Sequence, residues 1–158
     1  MHNIDVYIEP HYPLRKKQLS EAARAALANG EVRGEATLTI SIIGDRKMRA
    51  LNKEYRGIDS PTDVLAFPYA FGEGKVKFVD SDDPNVLNLG DIVISYPQLL
   101  ARAAKEDTLV DEMAAFLVIH GVLHLLGYDH EKDNDAAKME PLEDKILSNL
   151  YPALEVIK

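Results

Sequence analysis

The sequence predicts a single α+β domain, residues 1–158, in which a small mixed β-sheet packs against one long central helix with further helices around it. Three observations predict it. Residues 4–8 and 38–42 alternate apolar and polar side chains as half-buried strands do. The intervening segments carry their apolar residues at helical spacing. Between Ala114 and Gly127 nearly every residue is apolar except His120 and His124, and a helix apolar on all sides belongs in a protein's interior. The order of these strands and helices suits α+β, and 158 residues are enough to bury one core.

The elements follow in chain order. Ile4, Val6 and Ile8 alternate with Asn3, Asp5 and Tyr7, giving a first strand. Leu14 to Ala28 is rich in Ala, Leu, Lys and Arg, with Leu19, Ala23 and Ala26 at helical spacing and Asn29-Gly30 as the stop. Leu38, Ile40 and Ile42 form a second strand ending at Gly44. Asp45 is then expected to cap a helix running to about Arg56. At about 100° per residue, Met48, Leu51 and Tyr55 share one side of that helix. Arg46, Arg49, Lys53 and Arg56 share the opposite side. This basic face reads either as a solvated surface or as a rail facing phosphates, and the sequence leaves both open.

Gly57 to Asp63 is a turn by composition. Val64 to Phe67 reads as a third strand edged by Pro68, and Phe71 to Asn88 as a loop or loose hairpin. The apolar run Ile92-Val93-Ile94 suits a central strand. Pro97 fits the first turn of a helix through Asp107. The long helix, Val110 to Leu126, has its terminator in Gly127. A charged loop, Asp129 to Asp135, precedes a last helix to about Leu150, with Ile146, Leu147 and Leu150 toward the core. Pro141 either kinks that helix or starts a new segment.

Apolar residues make up 46% and charged residues 28% of the chain, as in ordinary soluble globular proteins. There is no cysteine, which excludes a disulfide scaffold and any thiolate metal site. Met1 to Pro10 lacks the apolar core of a secretory signal, and no uninterrupted apolar run is long enough to span a bilayer. The expectation is a cytoplasmic protein with no membrane partner. The net charge of -8 argues against a general nucleic-acid coat, so any polyanion must meet a local basic face.

The chemistry concentrates in His120-Gly-Val-Leu-His124-Leu-Leu-Gly127-Tyr128-Asp129-His130. His120 and His124 stand one helical turn apart, about 40° around and roughly 6 Å along the axis, so both imidazoles can address one ion. Gly127 breaks the helix and lets His130 approach from the turn. Three neutral imidazoles suit zinc, with a fourth position left for water, the arrangement of a catalytic site. A pair of satisfied core histidines explains two such residues less well than it explains one. Three of the chain's five histidines within eleven residues are harder still to explain that way. A structural zinc would need a fourth protein ligand, for which Asp129 or Glu131 are at hand. Which imidazole-binding metal is bound stays open.

The spacing H-x-x-x-H-x-x-G-x-x-H resembles that of the metzincin proteases. Those enzymes place a glutamate after the first histidine as general base; here the residue is Gly121. Peptide hydrolysis therefore lacks its base. A phosphodiester depends more on charge neutralisation and a metal-activated water, which returns attention to the basic face and to Arg56 at its end.

Four stretches together resemble the YbeY family of single-domain endoribonucleases: Leu51-Asn52-x-x-Tyr55-Arg56, Pro61-Thr62-Asp63-Val64-Leu65-Ala66-Phe67-Pro68, Leu89-Gly90-Asp91-Ile92, and the histidine segment. The resemblance covers nearly the whole chain, and Gly121 is the family's residue at its position. It implies one zinc ion per chain on His120, His124 and His130, with Arg56 as the functional arginine. It implies single-strand-directed RNA cleavage in maturation of the small-subunit rRNA 3′ end and in ribosome quality control. The implied partners are rRNA and the small ribosomal subunit, with small-subunit ribosomal proteins and a ribosome-associated GTPase as further candidates. Asp129 is a candidate to orient a liganding imidazole, or a plain turn residue. Thr62 and Asp63 either fix the turn beside the site or serve ordinary turn chemistry.

Overall fold

The described residues form nine elements: β1 (Asn3–Ile8), α1 (Lys16–Asn29), β2 (Glu35–Ile43), α2 (Asp45–Arg56), β3 (Val64–Pro68), β4 (Val86–Ser95), α3 (Tyr96–Lys105), α4 (Val110–Leu125) and α5 (Asp133–Leu150). The computed structural model describes residues 2–30, 32, 34–69, 86–128 and 133–152, with 133–137 as backbone alone. The strands form one sheet in the order β1-β2-β4-β3. β2 runs parallel to both β1 and β4, and β3 closes the edge antiparallel to β4. The mixed sheet and its surrounding helices agree with the α+β expectation, and the run Ile92–Ile94 does lie in an interior strand.

Alternation of side chains gives the sheet two faces. Leu38, Ile40, Ile42, Ile92 and Ile94 point into the main core, where they meet Leu19, Ala23 and Ala26 of α1 and Leu117, Val118 and Leu123 of α4. Val93, Leu65 and Ile43 point the other way and meet Met48 of α2, with Leu51 and Phe67 packed alongside. Helices α2 and α4 therefore cover opposite faces.

β4 departs from regular pairing at one place. The register with β2 slips between Thr37 and Leu38, so Leu89 is an extra residue on β4. Gly90 follows it with φ +129, and a Cβ there would lie 2.1 Å from the Phe67 carbonyl oxygen. Only glycine fits where β3 and β4 approach this closely.

Three local expectations need correction. Gly44, not Asp45, is the N-cap of α2. The Asp45 carboxylate is engaged elsewhere: it accepts a hydrogen bond from Ser95 Oγ at 2.7 Å and another from Gln98 Nε2 at 3.2 Å. Ser95 in turn caps α3, which has proline in its first turn. The last helix starts at Asp133, inside the stretch read as a charged loop, and runs on through Pro141. Finally, residues 86–88, read as loop, begin β4; residues 71–85 of that stretch lie outside the described residues.

Candidate metal and phosphate site

From Met113 to Leu125, α4 is buried everywhere except at Phe116, His120 and His124. Steps of four residues advance only about 40° around a helix, so these three side chains form a single stripe. The apolar remainder holds α4 in the core, and that stripe is where it reaches the surface. The helix ends as its sequence predicts. Gly127 adopts φ +106, its N–H donates to the His124 carbonyl at 3.0 Å and the Tyr128 N–H to the Leu123 carbonyl at 3.1 Å. This pair of bonds around a left-handed glycine satisfies the last carbonyls and turns the chain sharply after His124.

His120 has a partner that the sequence analysis missed. Its Nδ1 lies 2.5 Å from Oε2 of Glu143, a carboxylate on α5 that is 5% exposed. A charged residue on a mixed helix reads as surface by default. The one available signal was spacing: Glu143 lies four residues after Met139 and three before Ile146, both wholly buried, so it occupies the core stripe of α5.

His130, Asp129 and Glu131 lie outside the described residues. Among the described residues no group of three or more His, Asp or Glu side chains converges as a metal cage. The donors that are present nonetheless fit zinc chemistry. Two imidazoles at i and i+4 on one face, half-buried, with one held at Nδ1 by a carboxylate, are a donor set zinc accepts.

The space at Gly121, beside His120, is tight. A Cβ on Gly121 would come within 3.0 Å of Ile92 Cγ2. The position that carries a protease's general base faces Ile92 of the sheet here, and any side chain on it requires the isoleucine to give way.

Arg56 is the last residue of α2, and the helix stops at Gly57. All four cations of the basic face are exposed, as both sequence readings require. Arg49 is committed to Asp59 through two bonds of 2.7 and 3.2 Å. Arg56 forms no ion pair with any described residue. On the apolar side Met48 is fully buried, while Tyr55 is 44% exposed and meets the Phe67 ring edge-on at 5.2 Å. Asn52, 2% exposed, ties the following turn to α2 by donating from Nδ2 to the Ser60 carbonyl at 2.8 Å. Arg56 and the two histidines are thus carried by helices on opposite faces of the sheet, a separation that spacing along the chain does not encode.

Asp63 does more than ordinary turn chemistry. Its Oδ1 accepts the Val64 N–H and its Oδ2 the Arg102 guanidinium, both at 2.7 Å, while its carbonyl accepts the Ser95 N–H at 2.9 Å. Burial draws the Arg102 pKa down, but the bonds to Glu106 and Asp63 outweigh it and leave the guanidinium above its ordinary value. Arg102 also lies 5.2 Å over the Phe116 ring, which is 6.0 Å from the His120 ring. The turn after α2 is therefore packed, through Arg102 and Phe116, against the histidine stripe. Beyond Phe116 the stripe opens into a cleft lined by Glu106, Glu112 and Asp144, whose carboxylates repel a polyanion from that end.

Known proteins resemble this chain along most of its length. The family described as Endoribonuclease YbeY matches residues 8–151. The chain belongs to the YbeY endoribonuclease family. Two relatives named Endoribonuclease YbeY show the extent of the match. One, from Bradyrhizobium diazoefficiens, is 43% identical over 133 residues, covering 84% of this chain and 70% of the relative. The other, from Moorella thermoacetica, is 38% identical over 143 residues, covering 88% and 90%. A Thermotoga maritima protein solved in solution superposes with a TM-score of 0.62 over 97% of this chain and 92% of that one, at 23% identity, which shows a shared fold. Among the described residues no single helix is long and apolar enough to cross a membrane.

Proposed function

We propose that this chain is a zinc-dependent endoribonuclease that cleaves single-stranded RNA, with maturation of the small-subunit rRNA 3′ end and ribosome quality control as its cellular roles. The observation that carries the reading is the half-buried His120–His124 pair on a helix whose neighbouring residues are apolar and largely buried, in a chain of the YbeY family. His120, His124 and His130 would hold one zinc ion, which supplies a polarised water and a Lewis acid for a phosphodiester.

The remaining steps fall to the protein's own groups. Arg56, exposed at the end of α2, binds the scissile phosphate through its planar fork and stabilises charge growing on the phosphate oxygens. Since α2 and α4 cover opposite faces, the RNA has to run past the β3 edge to meet both. Tyr55 and Phe67, paired at that edge, offer aromatic surface against which an unpaired base can stack. The acidic cleft beyond Phe116 directs the strand away from that end of α4. Small-subunit ribosomal proteins and a ribosome-associated GTPase are partners in this proposal, since a net charge of -8 opposes holding RNA unaided.

The test is cleavage of a labelled single-stranded RNA by the purified protein, with and without a zinc-stripping chelator, beside His124→Ala. The reading expects cleavage that disappears in both controls. Cleavage that survives chelator or the variant removes the metal from the mechanism.

A further inference from the structure

We propose that Glu143 is the positioning residue of the metal site, the group that fixes which nitrogen of His120 faces the ion. This rests on the zinc reading given above. Glu143 is one of three buried polar or charged residues among those described, with Asn52 and Ser95. Asn52 donates to a turn carbonyl and Ser95 caps α3. Glu143 is the one that carries a charge, and its bond is to His120.

A buried carboxylate is costly unless it is bonded to a donor. Met139 and Ile146, both 0% exposed, hold its stretch of α5 against the core, so Glu143 cannot swing out to water without unpacking the helix. The side chain is therefore fixed where it meets His120 Nδ1 at 2.5 Å. The consequence for the imidazole is specific. Nδ1–H donates to the carboxylate, so the Nε2 lone pair is the one presented for coordination. The neighbouring negative charge makes that nitrogen a stronger ligand. His120 stands on the half-exposed stripe of α4, so a ring held in this way presents Nε2 on the same line as His124. Phe116, 6.0 Å from the His120 ring, flanks it along the helix. Asp129, the other carboxylate considered for orienting a ligand, lies outside the described residues.

A purely structural Glu143 would cement α5 to α4 and have no bearing on metal. The two roles separate in zinc affinity. Zinc dissociation constants are to be measured by competition with a chromophoric chelator for the wild type, Glu143→Gln, Glu143→Ala and His124→Ala, together with melting of each metal-free protein. Loss of an oriented carboxylate partner weakens a metal site by about 10- to 100-fold, and that is the change expected for Glu143→Ala. Glu143→Gln keeps the shape and one acceptor oxygen but loses the charge, so a smaller weakening is expected with metal-free melting close to wild type. It carries the test alone if the alanine variant does not fold. Zinc affinity equal to wild type in Glu143→Gln and Glu143→Ala, with melting alone reduced, overturns the positioning role and leaves the zinc reading standing. A wild-type protein that binds no zinc overturns the metal site and this inference with it.

Discussion

Gly121 of α4 lies directly against Ile92 of β4: a Cβ added to the glycine would meet three atoms of the isoleucine side chain at 3.0 to 3.1 Å. Ile92 is 0% exposed in the middle of the sheet, so it has nowhere to retreat. This contact sets how closely the histidine helix approaches β4. It also gives a physical reason why a zinc-protease spacing comes without the protease's glutamate.

Gly121→Ala is therefore expected to destabilise the fold. Alanine gains about 1 kcal/mol of helix propensity over glycine, but overpacking a core costs about 1 to 3 kcal/mol, and here a fully buried isoleucine must give by a few tenths of an ångström. Gly121→Glu adds an unpaired carboxylate to the same gap and is expected to cost more than about 3 kcal/mol, without creating peptidase activity. Urea denaturation checks both. A glutamate variant as stable as wild type would show that the gap is roomier than the contact implies.

Gly90→Ala should be at least as damaging, for a backbone reason. At φ +129 a Cβ would lie 2.1 Å from the Phe67 carbonyl oxygen and 2.8 Å from the Tyr69 nitrogen. Neither is a flexible side-chain tip. The strain and the clash together are expected to cost about 3 kcal/mol or more, seen as a lower urea midpoint with an unchanged slope. An unshifted midpoint would mean that the bulge at Leu89 rearranges freely.

Much of this architecture is legible in the sequence because its signals are local. Alternation marks β1 and β2, the all-round apolar run marks α4, and Gly127 does at the end of that helix what a helix-ending glycine does. What stayed hidden depends on distant partners. Asp45 looks like a cap because a cap is defined by its neighbours; Ser95 and Gln98, some fifty residues on, claim its carboxylate instead. Glu143 looks like surface until α5 is laid against α4. The placement of Arg56 and the histidines on opposite faces follows from strand order, which no spacing along the chain encodes. Of the three expected ligands, His120 and His124 occupy one stripe as their spacing requires, while His130 lies beyond the described residues.

The basic face of α2 yields a prediction about charge. The hydrogen bond from Arg49 holds the Asp59 carboxyl below its ordinary 3.8, with the nearby charges of Arg49 and Lys53 acting in the same direction. A depressed acid contributes stability above its unfolded pKa and loses it as pH falls through the folded value, so the pair is intact at neutral pH. Asp59→Asn should release Arg49 for phosphate. Single-stranded RNA binding, measured on metal-stripped protein, should tighten, and log K against log salt should steepen by about 0.7 for one added phosphate contact. An unchanged slope would assign Arg49 to the solvated surface.

Arg56 is exposed and forms no ion pair with a described residue, so replacing it should leave the fold alone; surface changes of this kind stay within about 0.5 kcal/mol. Its proposed task is confined to the transition state, where removing one preorganised donor costs about 100- to 1000-fold in turnover. Arg56→Ala should therefore retain wild-type melting and about one zinc per chain while RNA cleavage falls by that order. Arg56→Lys keeps the charge but loses the planar two-pronged fork, so it should recover only part of the rate. The pattern that matters is the split between metal content and turnover. If both fall together, the α2 terminus acts on the metal site through the fold. If neither falls, Arg56 has no part in the chemistry, and phosphate stabilisation must come from groups on the α4 side of the sheet.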